Sequence, residues 1–301
     1  MSAQGRSRVP GPPPPAPRPP PRLDRTAHKG IAGQLLIAAG SRAMPGAAIL
    51  VARAAQRAGA GLVAVTSIDG ELDIVLPIAA PEAILVRLVG PVDRPTRGAF
   101  PELAGRSDAA RAIGPGLGTD ARARALVEAL LALGGPLVLD ADGLNHFAGR
   151  VERLRAATGA LVLTPHPGEA QRLLERPIPS DDRGRLEAAG ELAQRAGAIV
   201  VLKGAGTVVA SAEGGEVRAW VNPTGNPGLA TAGSGDVLTG ILGAYLCRLG
   251  PAFDAFDAAR AAVWVHGRAG DYGAAVLGER ALIASDLVDW LPRAQIELEG
   301  E

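Results

Sequence analysis

The stretch Asn222-Pro-Thr-Gly-Asn-Pro-Gly-Leu-Ala-Thr-Ala-Gly-Ser-Gly-Asp236 runs directly into the apolar segment Val237-Leu-Thr-Gly-Ile-Leu242. A Gly- and Ser-rich loop feeding the start of an apolar helix makes an anion site, because free backbone N–H groups and the helix dipole converge there. Gly233, Ser234 and Gly235 are small enough for the backbone to approach a phosphate closely, and Asp236 stands at the helix start beside it. An aspartate at that position is also an ordinary helix cap. A cap, however, needs neither the small residues before it nor the Gly-rich run before those.

A second candidate is Val200-Val-Leu-Lys-Gly-Ala-Gly-Thr207, an apolar strand ending in Lys203 and glycines. Of the 31 basic residues, only Lys29 and Lys203 are lysines. In a chain this rich in arginine, the remaining lysines mark positions where a compact ammonium is required and a planar fork is not. Lys203 can hold a nucleotide phosphate; the alternative is a surface lysine in a hairpin. The Walker A spacing is absent. Further residues fall at strand ends: Ile113-Gly-Pro-Gly-Leu-Gly118, Asp140-Ala-Asp142 and Thr164-Pro-His-Pro-Gly-Glu169. The paired carboxylates of Asp140 and Asp142 suit a cation or a helix cap, and His166, held between prolines, suits substrate contact. His28-Lys-Gly30, Gly40-Ser41 and Gly46-Ala-Ala48 flank the first strand and its helix, and His266 reads as a packed core residue.

These side chains need a scaffold that collects strand ends. Apolar residues make up 47% of the chain and aromatics only 3%, so the core must be built from Ala, Val, Leu and Ile. Short apolar runs at 35–39, 61–66, 137–140, 160–164 and 198–202 predict buried strands. Helical periodicity covers 46–57, 120–133, 168–174, 185–195, 236–249 and 254–270. Such alternation predicts an α/β fold, a mostly parallel central sheet with helices on both faces. A late antiparallel hairpin is expected at 207–210 and 216–221. Ligands of such sheets bind at the carboxyl ends of the strands. Residues 1–22 are Pro-rich and are expected to be a disordered tail; residues 23–301 form one domain.

Zero net charge argues against nucleic acid as the main partner. The single cysteine, Cys247, permits no intrachain disulfide and no cysteine zinc cluster. A reducing, cytoplasmic setting fits. No run reaches the ~18 apolar residues of a membrane span, and the N-terminus has no secretory h-region.

Taken in order, His28-Lys-Gly, Gly40-Ser41 with Gly46-Ala-Ala, Gly59-Ala-Gly-Leu-Val, Gly114-Pro-Gly-Leu-Gly, Leu139-Asp-Ala-Asp-Gly-Leu-Asn145, Leu163-Thr-Pro-His-Pro-Gly-Glu169, Leu202-Lys-Gly-Ala-Gly-Thr207 and Asn222–Gly240 resemble the ADP- or ATP-dependent NAD(P)H-hydrate dehydratases. Ser234 and Leu229 stand where that family commonly has Thr and Met. The resemblance implies a ribokinase-like fold and a repair reaction. The hydroxyl of NADH or NADPH hydrate would be phosphorylated from ADP or ATP, and phosphate would then leave to restore the cofactor. It implies Asp236 as the catalytic base, the N–H groups of Gly233, Ser234, Gly235 and Asp236 as the anion hole, and Ala47, Gly116, His166 and Asp236 as the hydrate site. Lys203, Gly204, Ala205, Gly206, Thr207 and Gly235 would bind the adenine nucleotide. Magnesium is expected with the phosphates, its protein ligands unassigned.

The family's epimerase activity usually occupies a separate N-terminal domain, and the tail here is far too short to replace it. A dehydratase standing alone favours ADP and leaves epimerisation to a separate partner. A homo-oligomer, a tetramer, is expected on the family's habit. A ribokinase-like vitamin or sugar kinase shares the Gly-x-Gly-Asp loop, but the His-Pro-Gly-Glu and His-Lys-Gly motifs favour the dehydratase. A nucleotide-binding protein without catalysis is disfavoured by the intact Asp236.

Overall fold

In the computed structural model, residues 15–70, 72–88 and 101–300 are described, without the side chains of residues 101 and 104. The strands are β1 (Gln34–Ala38), β2 (Leu62–Thr66), β3 (Ile84–Leu85), β4 (Ala110–Ile113), β5 (Leu137–Leu139), β6 (Leu161–Leu163), β7 (Ile199–Leu202), β8 (Val208–Glu213) and β9 (Glu216–Val221). They form one nine-stranded sheet in the order β3-β2-β1-β4-β5-β6-β7-β8-β9. Pairing is parallel from β3 to β7 and antiparallel for β8 and β9. The helices are α1 (Pro45–Arg57), α2 (Leu72–Ala79), α3 (Pro101–Ala104), α4 (Ala121–Ala132), α5 (Asp142–Asn145), α6 (Pro167–Leu174), α7 (Asp182–Ala196), α8 (Ser234–Leu246), α9 (Ala255–Leu277) and α10 (Ala284–Glu299).

The expected layering is present. Successive strand residues point to opposite faces, so Leu35, Ile37, Val63 and Val65 pack under α1, α8, α9 and α10. Their neighbours Leu36, Ala38 and Ala64 pack under α4, α6 and α7. Both faces of the central strands are therefore covered, which is why these strands read as continuous apolar runs. Small residues take the place of the missing aromatics by letting elements approach closely. A Cβ on Gly240 of α8 would lie 2.4 Å from the Val51 carbonyl oxygen of α1, and one on Gly243 would lie 2.8 Å from the Leu35 side chain.

Several elements differ from expectation. α10 has no counterpart in the sequence reading, because Pro292 lies inside it; proline normally marks a helix break. Its apolar positions Leu287, Val288, Leu291, Ala294 and Leu298 are nevertheless buried at helical spacing. α9 runs on to Leu277, beyond the expected end at residue 270.

Of the expected tail, residues 1–14 lie outside the described residues. Residues 15–22 carry no helix or strand and lie along the fold. Arg18 Nη1 donates to the Ala252 carbonyl, Arg248 Nη2 donates to the Pro21 carbonyl, and Arg22 pairs with Glu299 at 3.4 Å. Prolines have no N–H, so here the arginines supply the donors. No helix among the described residues is long and apolar enough to cross a membrane.

Candidate active site

Asp140, Thr164–His166 and Lys203 directly follow β5, β6 and β7, which places them together at the carboxyl ends of these interior strands. The buried Asp140 carboxylate joins those strand ends to α8. Its Oδ1 accepts from Lys203 Nζ at 2.7 Å, and its Oδ2 accepts from Thr239 Oγ1 at 2.7 Å. Ala141, next in the chain, has φ 48°, unusual for a residue with a side chain. That strained turn separates the two carboxylates whose roles the sequence left open. Asp140 turns toward Lys203, whereas Asp142 Oδ2 accepts from Gly118 N at 2.9 Å and so holds the 114–118 loop.

Asp236 lies one helical turn before Thr239 and shares its side of α8. Burial pushes the Asp236 carboxyl up to about 6; the negative charge of Asp140 adds to the rise and the Lys203 ammonium opposes it. Burial alone would lower the Lys203 ammonium, but Asp140 and Glu169 more than offset it and hold it above its usual value. Glu169 Oε2 lies 3.9 Å from Lys203 Nζ.

The start of α8 lacks the carboxylate cap that opens three other helices. Asp120, Asp181 and Asp254 cap α4, α7 and α9 through their carboxylates. Gly233, the residue before α8, has φ 87° and makes no side-chain cap. The N–H groups of a first helical turn have no acceptor within the helix. Ser234 N finds one in the Thr231 carbonyl at 3.3 Å. A Cβ on Gly235 would lie 3.5 Å from Lys203 Nζ, so the glycine keeps the backbone open toward the ammonium. The position of Ser234 is fixed by His266, whose Nε2 lies 2.9 Å from the Ser234 carbonyl oxygen and 3.1 Å from its Oγ. His266 therefore packs in the fold, as expected, and also touches the anion loop, a contact that spacing along one helix could not reveal.

The 203–207 loop is held by a residue that sequence reasoning missed. The buried Arg185 of α7 donates to the Ala205 carbonyl and, at 3.5 Å, to the Leu202 carbonyl. Gly204 has φ 147°, and a Cβ there would lie 2.9 Å from the Arg185 guanidinium. Lys203 N donates to the Pro165 carbonyl at 2.9 Å and Thr207 Oγ1 to the Gly204 carbonyl at 3.0 Å. Arg185 was one arginine among many in the sequence and carried no distinguishing signal.

Ala47 and Gly116 come together. Gly116 has φ 62°, and a Cβ on it would lie 3.0 Å from Ala47 Cβ and 2.9 Å from Met44 Cβ. Leu50, on the next turn of α1, reaches within 2.6 Å of where a Gly233 Cβ would stand, linking that pair to the anion loop. His166 exposes half of its side chain and also begins α6. Its Nδ1 accepts from Gly168 N at 3.0 Å, and its own N–H donates to Glu169 Oε2 at 2.8 Å. Lys29 is exposed and precedes β1, at the opposite end of the sheet from Lys203. Of the two lysines, only Lys203 lies at the carboxyl ends of the strands, paired with Asp140.

The family described as NAD(P)H-hydrate dehydratase matches residues 35–293. The chain belongs to this family. The ADP-dependent (S)-NAD(P)H-hydrate dehydratase of Bacillus subtilis is 36% identical over 274 residues, spanning 91% of this chain and 92% of the relative. The bifunctional NAD(P)H-hydrate repair enzyme Nnr of Moorella thermoacetica is 41% identical over 286 residues, 93% of this chain but 52% of the relative. The chain thus spans about half the length of the bifunctional relatives it matches. A crystal structure of the ADP/ATP-dependent NAD(P)H-hydrate dehydratase from B. subtilis, co-crystallised with ATP and Mg2+, superposes with TM-score 0.76 at 32% identity, covering 93% of this chain and 94% of that one. A ribokinase-like superfamily protein from Enterococcus faecalis superposes with TM-score 0.73 at 25% identity, covering 93% and 92%. The dehydratase family's fold is thus ribokinase-like here, as the motifs implied.

A magnesium ion caged wholly by side chains does not fit the described residues. Among the described residues no three or more His, Cys, Asp or Glu side chains converge as a cage. Both oxygens of Asp140 are already engaged by Lys203 and Thr239.

Proposed function

We propose that the chain is an ADP-dependent dehydratase of the S-form of NADH and NADPH hydrates. The observation that carries this reading is Asp236, a half-buried carboxylate on the first turn of an uncapped helix, beside the ammonium of Lys203. Hydroxide is a poor leaving group and phosphate a good one, so transfer of a phosphoryl group makes the dehydration run. Asp236 takes the proton of the hydrate hydroxyl, and that oxygen attacks the terminal phosphorus of ADP. AMP leaves with the bridging oxygen and its electron pair. The C–O bond of the phosphate ester then breaks, phosphate leaving with the bonding pair as the ring nitrogen lone pair forms an iminium, and loss of the neighbouring C–H proton to water restores the dihydropyridine double bond. Alignment and charge neutralisation dominate such transfers.

Gly233, Ser234, Gly235 and Asp236 form the anion hole, with the Gly235 and Asp236 N–H groups the open donors. Lys203, Gly204, Ala205, Gly206, Thr207 and Gly235 receive the adenine nucleotide, while Ala47, Gly116 and His166 receive the hydrate. The glycine-lined contact of Ala47 with Gly116 supports the latter assignment. Magnesium enters only as the counterion of the nucleotide phosphates. A cytoplasmic homotetramer working with an NAD(P)H-hydrate epimerase completes the reading.

The test is chemically prepared NADH hydrate mixed with the protein and ADP or ATP, followed by the absorbance of restored NADH and by phosphate release. Restored NADH with stoichiometric AMP supports the dehydratase. A phosphorylated product that persists would make the protein a kinase instead.

A further inference from the structure

Asp140 is assigned no part in the reaction above, yet its side chain is 2% exposed and its carboxylate engaged at both oxygens. Resting on the dehydratase reading, we propose that Asp140 is the positioning residue of this site, one carboxylate that sets the nucleotide-binding Lys203 against the helix that carries Asp236. Three observations carry the inference. Lys203 reaches Asp140 across the β6 position, since Asp140 follows β5 and Lys203 follows β7 in a sheet ordered β5-β6-β7. Thr239, the second partner, is fully buried and lies three residues after Asp236 on the same side of α8. Directly after Asp140 the backbone is strained at Ala141, whose φ of 48° persists only where the surroundings over-determine it.

The geometry makes Asp140 act on both ends of the reaction. A free lysine head group rotates through many positions; one hydrogen-bonded to a buried carboxylate presents its remaining protons in fixed directions. On the other side, Thr239 ties α8 to the same carboxylate. The charged groups around Asp236 are Asp140 and Lys203, with Glu169 against Lys203 and the neutral His266 behind Ser234. Removing the Asp140 charge leaves Lys203 as the dominant neighbour of Asp236, and the Asp236 proton is then held less tightly.

Asp140→Asn, Thr239→Val and Thr239→Ser test this. ADP affinity is read by calorimetry, and the Asp236 carboxyl is titrated by carbon-13 NMR in the ligand-free protein. Asp140→Asn should weaken ADP binding about tenfold or more, the scale of a lost hydrogen bond to a charged group. It should also move the Asp236 midpoint to lower pH. Thr239→Val should weaken ADP binding several-fold, and Thr239→Ser, which keeps the hydroxyl, should restore it. A folded Asp140→Asn variant with ADP affinity within twofold of wild type and an unmoved Asp236 midpoint overturns the proposal. If that variant does not fold, the threonine pair decides: valine and serine variants that bind ADP equally well overturn it. If the wild-type protein fails to restore NADH or to bind ADP, the dehydratase reading fails, and the Asp236 titration still decides the role of Asp140.

Discussion

His266 Nε2 lies 2.9 Å from the carbonyl oxygen of Ser234, so a histidine in the middle of α9 holds the first residue of α8. Burial drives the His266 imidazole down to about 4. It stays neutral across the pH range in which Asp236 ionises, and the contact does not switch with the base. His266→Leu removes the donor and should lower turnover about five- to tenfold, the rate equivalent of roughly one hydrogen bond. His266→Gln keeps an N–H at a similar reach and should recover most of it. Steady-state rates of the two variants, with circular dichroism to establish folding, check this.

Asp236→Asn should cut turnover by ~10²–10⁴, the usual cost of a lost general base. The wild-type rate should rise as pH passes about 6, where burial and Asp140 place the Asp236 carboxyl, and the variant should lose that limb. Stability should move the other way. A carboxyl with its midpoint near 6 in the fold and 3.8 unfolded binds its proton more tightly when folded. Between those values the fold gains stability as pH falls, and above about 6 the full penalty stands. Asp236→Asn should therefore melt higher than wild type at pH 7.5 and show no such gain at pH 3.5. A melting temperature at pH 7.5 no higher than wild type would sink this account.

Lys203→Arg keeps the charge but brings a planar fork between Asp140 and the backbone of Gly235, where a Cβ would already stand 3.5 Å from the ammonium. ADP binding should weaken roughly tenfold, about 1.4 kcal/mol, with the fold intact. Calorimetry with ADP measures it, and unchanged affinity would mean that the position tolerates either cation.

Deleting residues 1–22 should lower the melting temperature where deleting residues 1–14 does not, because Pro15–Arg22 contributes Pro17 to the buried surface and three contacts to the fold. Exposed ion pairs add little, so a loss of about 1 kcal/mol, roughly 2–4 °C, is expected. Activity should be unaltered. Calorimetric melts of both truncations decide, and equal melting temperatures would show that the segment adds nothing.

The sheet was legible because its strands are covered on both faces and so read as apolar runs bounded by glycine or proline. The loop before α8 was legible as a run of small residues, Gly233, Ser234 and Gly235, leading into an apolar helix that the structure contains. Asp140 stood out as a residue type but its role did not, since its partners Lys203 and Thr239 lie far off in sequence and meet it only through strand order. Arg185 and His266 were hidden for the same reason. α10 was missed because Pro292 imitates a break, although burial of its apolar stripe outweighs the lost backbone hydrogen bond. The course of Pro15–Arg22 along the surface was not legible because proline-rich composition signals a lack of core, and surface docking through arginine donors requires none.

Every residue of α8 from Val237 to Leu246 is buried, while Gly235 and Asp236 at its mouth are only partly so. The body of the helix should release its amide hydrogens to deuterium only when the whole molecule opens, whereas the first-turn amides, lacking helical acceptors, exchange from the native state. A phosphate seated there would slow the amides of Gly235 and Asp236 and leave the rest of α8 unchanged. Two adjacent amides thus offer a local reporter of occupancy that needs neither turnover nor a labelled ligand.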